Sequence, residues 1–361
     1  MNLTSQIRRR GSTLTSQVNL QSMNVSYKYG LLVFVPLFIT LTLGCSKTPT
    51  YSRTEFVMGT SVVISVFDSD KSKQTIKAAV DAAFEEIKRV DTLMSNYKDN
   101  SEVSEINRLK GGERIKVSDE TMEVLRRSRE ISALTKGAFD ITVLPLLELW
   151  GFYGDSNTDR RPADKEIRAV LKSVGYKKLK LGGGNSVIKS KDGVKIILGG
   201  IAKGYAVDRA VRILKSHGIK SVLVEAGGDL ICAGTKPDKK LWKIAIRHPR
   251  MKYKSIVILK TEGCAIATSG DYENYRIVEG KRYSHIIDPR GGYPKGDFPA
   301  SVTVIAKDVV TADGLATAVF VLGPEEGMKF VENTPDVEAI IISDEAGKIK
   351  TVVSSGLKDK I

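Results

Sequence analysis

From residue 53 onward, stretches whose apolar positions recur every second residue alternate with stretches where they recur every three to four. Phe56–Phe67 is β-branched and partly alternating and predicts a strand, interrupted at Met58-Gly59-Thr60, where the glycine permits a bulge or a close approach by a ligand. Gln74–Met94 carries apolar side chains at 76, 80, 83, 84, 87, 90 and 94, one face of an amphipathic helix. Ser101 with Ser104-Glu105 reads as a capped short helix. Asp119–Thr135 is a further helix, stopped by Gly137, and Ala163–Val174 another, closed by Gly175. Leu179–Leu181, Val187–Ser190 and Val194–Leu198 predict a meander. A helix then opens at Gly199–Asp208 and runs to about Ser216. Strands are expected at 221–225, 230–233, 241–246, 255–260, 263–267 and 282–287, with polar turns at Thr268–Tyr272 and Asp288–Gly292. Val302–Ala306 reads as a strand leading into a helix over 309–321. A helix near 325–332 and strands at 337–342 and 349–352 complete the pattern. Strand meanders between helical blocks predict an α+β fold, largely antiparallel with flanking helices, in one domain over 53–361.

The N-terminal part follows a different pattern. Leu31–Leu43 is an apolar run of 13 residues, short for a membrane span and suited to the core of a signal peptide. Lys28 precedes it, and Leu43-Gly44-Cys45 resembles the lipobox of bacterial lipoproteins, which implies lipidation of Cys45. Residues 1–44 are therefore expected to be a signal region, with Met23 as its natural start, and 45–52 a lipidated tether. This places the chain in the cell envelope, anchored to a bacterial membrane. Cys232 and Cys264 then remain, either as buried thiols or as a pair formed in an oxidising compartment. No Cys/His spacing supports zinc.

The formal net charge is +14, mostly from dispersed lysines. Such a surface favours an anionic ligand or membrane, and no basic run interleaved with aromatics argues for nucleic acid. Asp313 and Thr317 lie four residues apart on the 309–321 helix, so a carboxylate and a hydroxyl share one face. Those oxygens suit a hard cation such as Mg²⁺, or else merely a solvated helix face. Gly199-Gly200 before a helix N-terminus offers free amides to an anion, with Lys203 adding charge. The spacing is neither that of a P-loop nor that of a dinucleotide fingerprint. His285 is the best general-base candidate among three histidines. His217 sits at a helix end and His248 before a proline, while Asp271 and Asp288 are candidates for ordering the site.

Eight stretches occur together in one family's order. They are FVMGT (56–60), SNY (95–97), GAFD (137–140), GGIAKGYAVD (199–208), VEAGGDL (224–230), ATSGDYENY (267–275), YSHIIDPRGGYP (283–294) and SVTVIA…TADGLATAVFVLG (301–323). On these the chain resembles the ApbE family of FAD:protein FMN transferases. The resemblance implies Mg²⁺-dependent cleavage of FAD, transfer of FMN to a Ser/Thr hydroxyl of an acceptor protein, typically a subunit of a membrane redox complex, and release of AMP. It implies metal ligands at Asp313, Thr317 and the Gly200 carbonyl. It implies FAD contacts at Met58, Tyr97, Ala138, Phe139, Asp140, Lys203 and Ile287. Ile197 and Ala316 depart from the family pattern, where many members carry oxygen-bearing side chains, and suggest a cation held more by water and phosphate. Two alternatives share the fold: an FAD pyrophosphatase, in which water replaces the acceptor, and an FAD-binding lipoprotein without turnover. A solute-binding lipoprotein would show two βαβ-rich lobes, which this strand pattern lacks.

Overall fold

A two-residue turn opens the fold. The computed structural model describes residues 48–154, 160–294 and 299–361; Leu31–Leu43 and Cys45 of the expected leader lie outside the described residues. The stretch expected as one interrupted strand is a hairpin of β1 (Tyr51–Val57) and β2 (Thr60–Val66), with Val57 opposite Thr60. Met58 and Gly59 both take positive φ, 54° and 72°. That conformation twists as the flanking strands do, so a hairpin turn stands where a bulge was expected.

The chain continues through α1 (Lys73–Met94), α2 (Glu102–Arg108), β3 (Arg114–Lys116), α3 (Asp119–Leu134), α4 (Leu144–Leu149) and α5 (Asp164–Leu171). Then come β4 (Leu179–Gly182), β5 (Ser186–Lys189), α6 (Ala202–Ser216), β6 (Val222–Ala226), β7 (Asp229–Ala233), β8 (Trp242–Arg247) and β9 (Ser255–Thr261). The remainder is β10 (Cys264–Gly270), β11 (Tyr275–Val278), β12 (Lys281–Ser284), β13 (Ser301–Ala306), α7 (Val309–Leu322), α8 (Pro324–Glu332), β14 (Glu338–Glu345) and β15 (Lys348–Val353). Serines start three of these helices. Ser72, Ser101 and Ser118 accept from the N–H groups of Thr75, Ser104 and Thr121 at 3.0–3.2 Å, satisfying a donor that the first turn leaves free.

Eight strands form the central sheet in the order β1-β2-β6-β7-β10-β13-β14-β15, every neighbour antiparallel. Alternate side chains serve two layers. Val302, Val304, Ala306, Ala339 and Ile341 face a core shared with α1, α6 and α7, while Ile305, Ile340 and Ile342 face a second core roofed by Trp242, Ile244, Ile246 and Leu259 of the β8–β9 hairpin. Each fully buried Val or Ile contributes roughly 1.5–3 kcal/mol, so both faces of these strands drive folding. A third apolar cluster joins Leu144, Leu146, Leu147, Trp150 and Ile167 to Ile287. Cys232 and Cys264 sit opposite one another on β7 and β10 as free thiols, their sulfurs 3.7 Å apart.

Three further expected elements differ. Residues 194–198 are not a strand. The Asn96 and Asn107 amides donate to the Ile196 carbonyl at 2.8 and 2.9 Å, Asn107 Oδ1 accepts from Ile196 N, and Ile197 N donates to the Ile141 carbonyl. Side chains and a single distant carbonyl satisfy this apolar run, so it joins no sheet. The expected turn at 268–272 begins later, because β10 pairs with β13 out to Gly270 opposite Ser301. The expected strand at 282–287 ends at Ser284, and His285 lies just beyond it rather than within it.

Candidate active site

Helix α7 carries the site, and two contacts fix it against α6. The Asp208 carboxylate of α6 accepts from Val309 N and Val310 N at 3.0 and 2.9 Å, satisfying two amides in the first turn of α7. One turn earlier in α6, Gly204 N donates to Asp313 Oδ2 at 3.1 Å. Gly204 has no room for a side chain: a Cβ there would lie 2.4 Å from the Val309 carbonyl oxygen and 2.9 Å from Asp313 Cβ. Gly204→Ala is therefore expected to force α6 and α7 apart at a cost of about 1–3 kcal/mol. Calorimetry should show a melting temperature several degrees lower, and an unchanged transition would mean the helices tolerate the shift.

This crossing gathers the oxygens. Asp313 and Thr317 face the start of α6 and the turn before it: a Cβ on Gly200 would come within 3.1 Å of Thr317 Oγ1 and 3.5 Å of Phe139 Cε2. Ser269 of β10 reaches Thr317, hydroxyl to hydroxyl, at 3.3 Å. The anion-binding amides expected at the start of α6 are partly committed: Gly204 N is taken by Asp313, and Ala202 N donates to the Leu198 carbonyl at 2.8 Å.

Lys203 and Asp229 complete the cluster. Asp229 follows the Gly227-Gly228 turn at the start of β7 and is 1% exposed. Lys203 Nζ donates directly to Asp229 Oδ2 and stands 3.8 Å from Asp313 Oδ2. Burial first, and the Asp229 charge second, push the Asp313 carboxyl up to about 7. Burial opposes the Lys203 charge, but Asp229 and Asp313 together hold the ammonium above its ordinary range. Two buried carboxyls thus share one ammonium, and the cluster is short of positive charge. The donor set fits a hard cation: Asp313, Thr317 and the Gly200 carbonyl offer one charged and two neutral oxygens, with water and phosphate left to complete the shell. Among the described residues no three His, Cys, Asp or Glu side chains gather into a metal-binding group.

The remaining candidates surround this point unevenly. Met58 lies in the β1–β2 turn, beside the turn that leads to Asp229: a Cβ on Gly227 would meet Thr60 Oγ1 at 2.6 Å. Ala138 and Phe139 are buried, and Phe139 edges Gly200. Asp140 uses both oxygens internally, accepting from Thr142 N, Thr142 Oγ1 and Tyr176 N at 2.6–2.8 Å, so it shapes its loop. Tyr97 is 82% exposed and rests its ring on Tyr153, 5.3 Å between centroids. Ile287 is buried in the third apolar cluster. Ile197 packs on that same cluster, and Ala316 is wholly buried in the main core.

His285 Nδ1 lies 2.9 Å from the Asn274 carbonyl oxygen. A carbonyl only accepts, so Nδ1 carries the proton and Nε2 keeps its lone pair. Burial first, and the Lys203 charge as well, hold this imidazole below its ordinary pKa despite the Asn274 bond. Asp271 instead pairs with Arg250 through both oxygens at 2.6 and 2.8 Å, and Asp288 pairs with Arg290.

The ApbE family model matches residues 58–341. The chain belongs to the ApbE family. The FAD:protein FMN transferase of Vibrio cholerae is 38% identical over 286 residues, spanning 79% of this chain and 84% of that protein. That of Escherichia coli K12 is 31% identical over 354 residues, 93% of this chain and 98% of that protein. Among solved structures, the ApbE protein of Thermotoga maritima superposes with a TM-score of 0.77 at 40% identity, covering 86% of this chain and 98% of its own. The flavin transferase ApbE of Vibrio cholerae gives 0.76 at 35% identity, covering 86% and 99%. The α+β fold expected from the strand pattern is that of these ApbE structures. Asp229 and Ser269 escaped the sequence reading as site residues, although each stands in a motif that carried the resemblance, VEAGGDL and ATSGDYENY.

Proposed function

We propose that this chain transfers the FMN part of FAD to a Ser or Thr hydroxyl of an acceptor flavoprotein, with Mg²⁺ bound and AMP released. The observation that carries this reading is the close approach of Gly200 to Thr317, one helical turn from Asp313, in an ApbE-family chain whose relatives bear the name FAD:protein FMN transferase. Asp313, Thr317 and the Gly200 carbonyl would hold Mg²⁺, which when bound offsets charge on phosphate oxygens. The acceptor oxygen attacks the FMN-side phosphorus. The anhydride P–O bond breaks, and its electron pair leaves on AMP. His285 Nε2 takes the hydroxyl proton, its ring held in that tautomer by the Asn274 carbonyl. The exposed Tyr97 ring offers a stacking surface for FAD, with Met58 in the β1–β2 turn as a further contact, while the buried Ala138, Phe139 and Ile287 would support the site from beneath. Asp140 acts through the loop that presents Ala138 and Phe139. Lys203 faces the pyrophosphate end. The apolar Leu31–Leu43 run and Cys45 support an envelope protein anchored by lipid, with an acceptor in a membrane redox complex.

The test incubates the chain from Ser46 onward, one compact unit, with FAD, Mg²⁺ and a flavin-carrier domain. Mass spectrometry of the carrier is expected to show an added FMN that depends on Mg²⁺. Free FMN and AMP without an adduct would favour the pyrophosphatase reading, and FAD left intact would favour simple binding.

A further inference from the structure

The two carboxyls that share Lys203 are not equivalent. The ammonium is in direct contact with Asp229, while its distance to Asp313 is 3.8 Å, an ion pair without a hydrogen bond. Asp229 is almost wholly buried at the start of β7, and Asp313 is fixed on α7 by the Gly204 amide. Lys203 is the second residue of α6, so its side chain spans the gap between the strand and the helix. An ammonium seated on Asp313 would compete with any divalent cation for the same oxygens. Asp229 draws it to the other side.

We propose that Asp229 is a positioning residue that seats the Lys203 ammonium away from Asp313, keeping the Asp313 carboxylate open to a divalent cation. The proposal rests on the assignment of Asp313 as a metal ligand. Deprived of a charged acceptor at 229, Lys203 has one strong partner left. A shift of about 1 Å would turn the 3.8 Å ion pair into a direct hydrogen bond of ordinary length. The cation must then displace an ammonium from a buried carboxylate. Asp229→Asn should therefore weaken Mg²⁺ binding even though residue 229 need not touch the metal. Removing Lys203 as well should restore it, because the competitor has gone and the net charge of the cluster is that of the native protein.

Isothermal calorimetry of Mg²⁺ binding, without FAD, is the experiment, made on the native chain, Asp229→Asn, Lys203→Met and the double variant. FMN transfer to a carrier is recorded on the same samples. Asp229→Asn is expected to raise the Mg²⁺ Kd about tenfold or more. The double variant should return to within about threefold of the native value, because neighbouring charges act non-additively. It leaves no unpaired charge in place of the Lys203–Asp229 pair, so it keeps the test open even if a single variant folds poorly. An unchanged Kd in Asp229→Asn overturns the proposal, as does a double variant that binds as weakly as Asp229→Asn. A native chain that transfers FMN but takes up no Mg²⁺ overturns it through the metal assignment, leaving the transferase reading intact.

Discussion

Asp313→Asn is expected to lower FMN transfer about a thousandfold, the equivalent of roughly 4 kcal/mol of transition-state stabilisation. Asparagine keeps the shape and still offers an oxygen to the Gly204 amide, which donates to Asp313 at 3.1 Å. The α6–α7 crossing should survive, and the melting temperature should change little. What is lost is the only carboxylate in the ligand set proposed for the cation. Thr317 and the Gly200 carbonyl remain as neutral oxygens, too few for Mg²⁺, which leans on carboxylate and phosphate charge. The deficit should appear in kcat more than in the KM for FAD, because charge on the phosphate oxygens is redistributed as the anhydride bond breaks. Single-turnover kinetics at saturating Mg²⁺ check this. A variant that keeps more than about a tenth of the native rate would remove Asp313 from the ligand set, since a ligand contributes several kcal/mol.

The helix that bears Asp313 was legible because its signals are local. A β-branched strand, a short turn with an Asp cap and a small-residue helix closed by a glycine follow one another within 23 residues. The stripe of α1 was legible for the same reason: its periodic positions are the buried ones. Residues 194–198 misled because hydrophobicity reports burial, not pairing. The partners of that backbone are Asn96, Asn107 and Ile141, which lie more than fifty residues away in the chain. Strand β11 escaped because Tyr275–Val278 is half exposed and paired only with β12, so it lacks the apolar face that marks a strand. Asp229 escaped for a different reason. Preceded by two glycines it reads as a turn residue, and only the fold brings it against Lys203, 26 positions earlier. Local patterns showed which groups could do chemistry; the long-range pairing of carboxyls with one ammonium is a property of the packed helices.

His285→Gln should lower transfer about a hundredfold to ten-thousandfold, the range that a positioned general base supplies. Glutamine can donate to the Asn274 carbonyl, as His285 Nδ1 does at 2.9 Å, but it has no lone pair of comparable basicity to receive the hydroxyl proton. FAD binding should be nearly unchanged, which fluorescence titration can read. The pH profile supplies a second handle. Because burial holds the imidazole below its ordinary pKa, Nε2 is free throughout the neutral range. At saturating Mg²⁺, which would hold the Asp313 carboxyl ionised, transfer by the native chain should therefore be flat above about pH 6.5 and fall as the medium becomes more acid and the ring takes a proton. The same depression acts on stability: below about pH 6.5 the unfolded chain binds this proton more readily than the folded one, so the His285 contribution to stability declines as pH falls. In His285→Gln the acid limb owed to this ring should vanish from the transfer profile along with most of the rate. A variant whose rate falls while the acid limb stays in place would assign that limb to another group and leave His285 the task of orienting the acceptor.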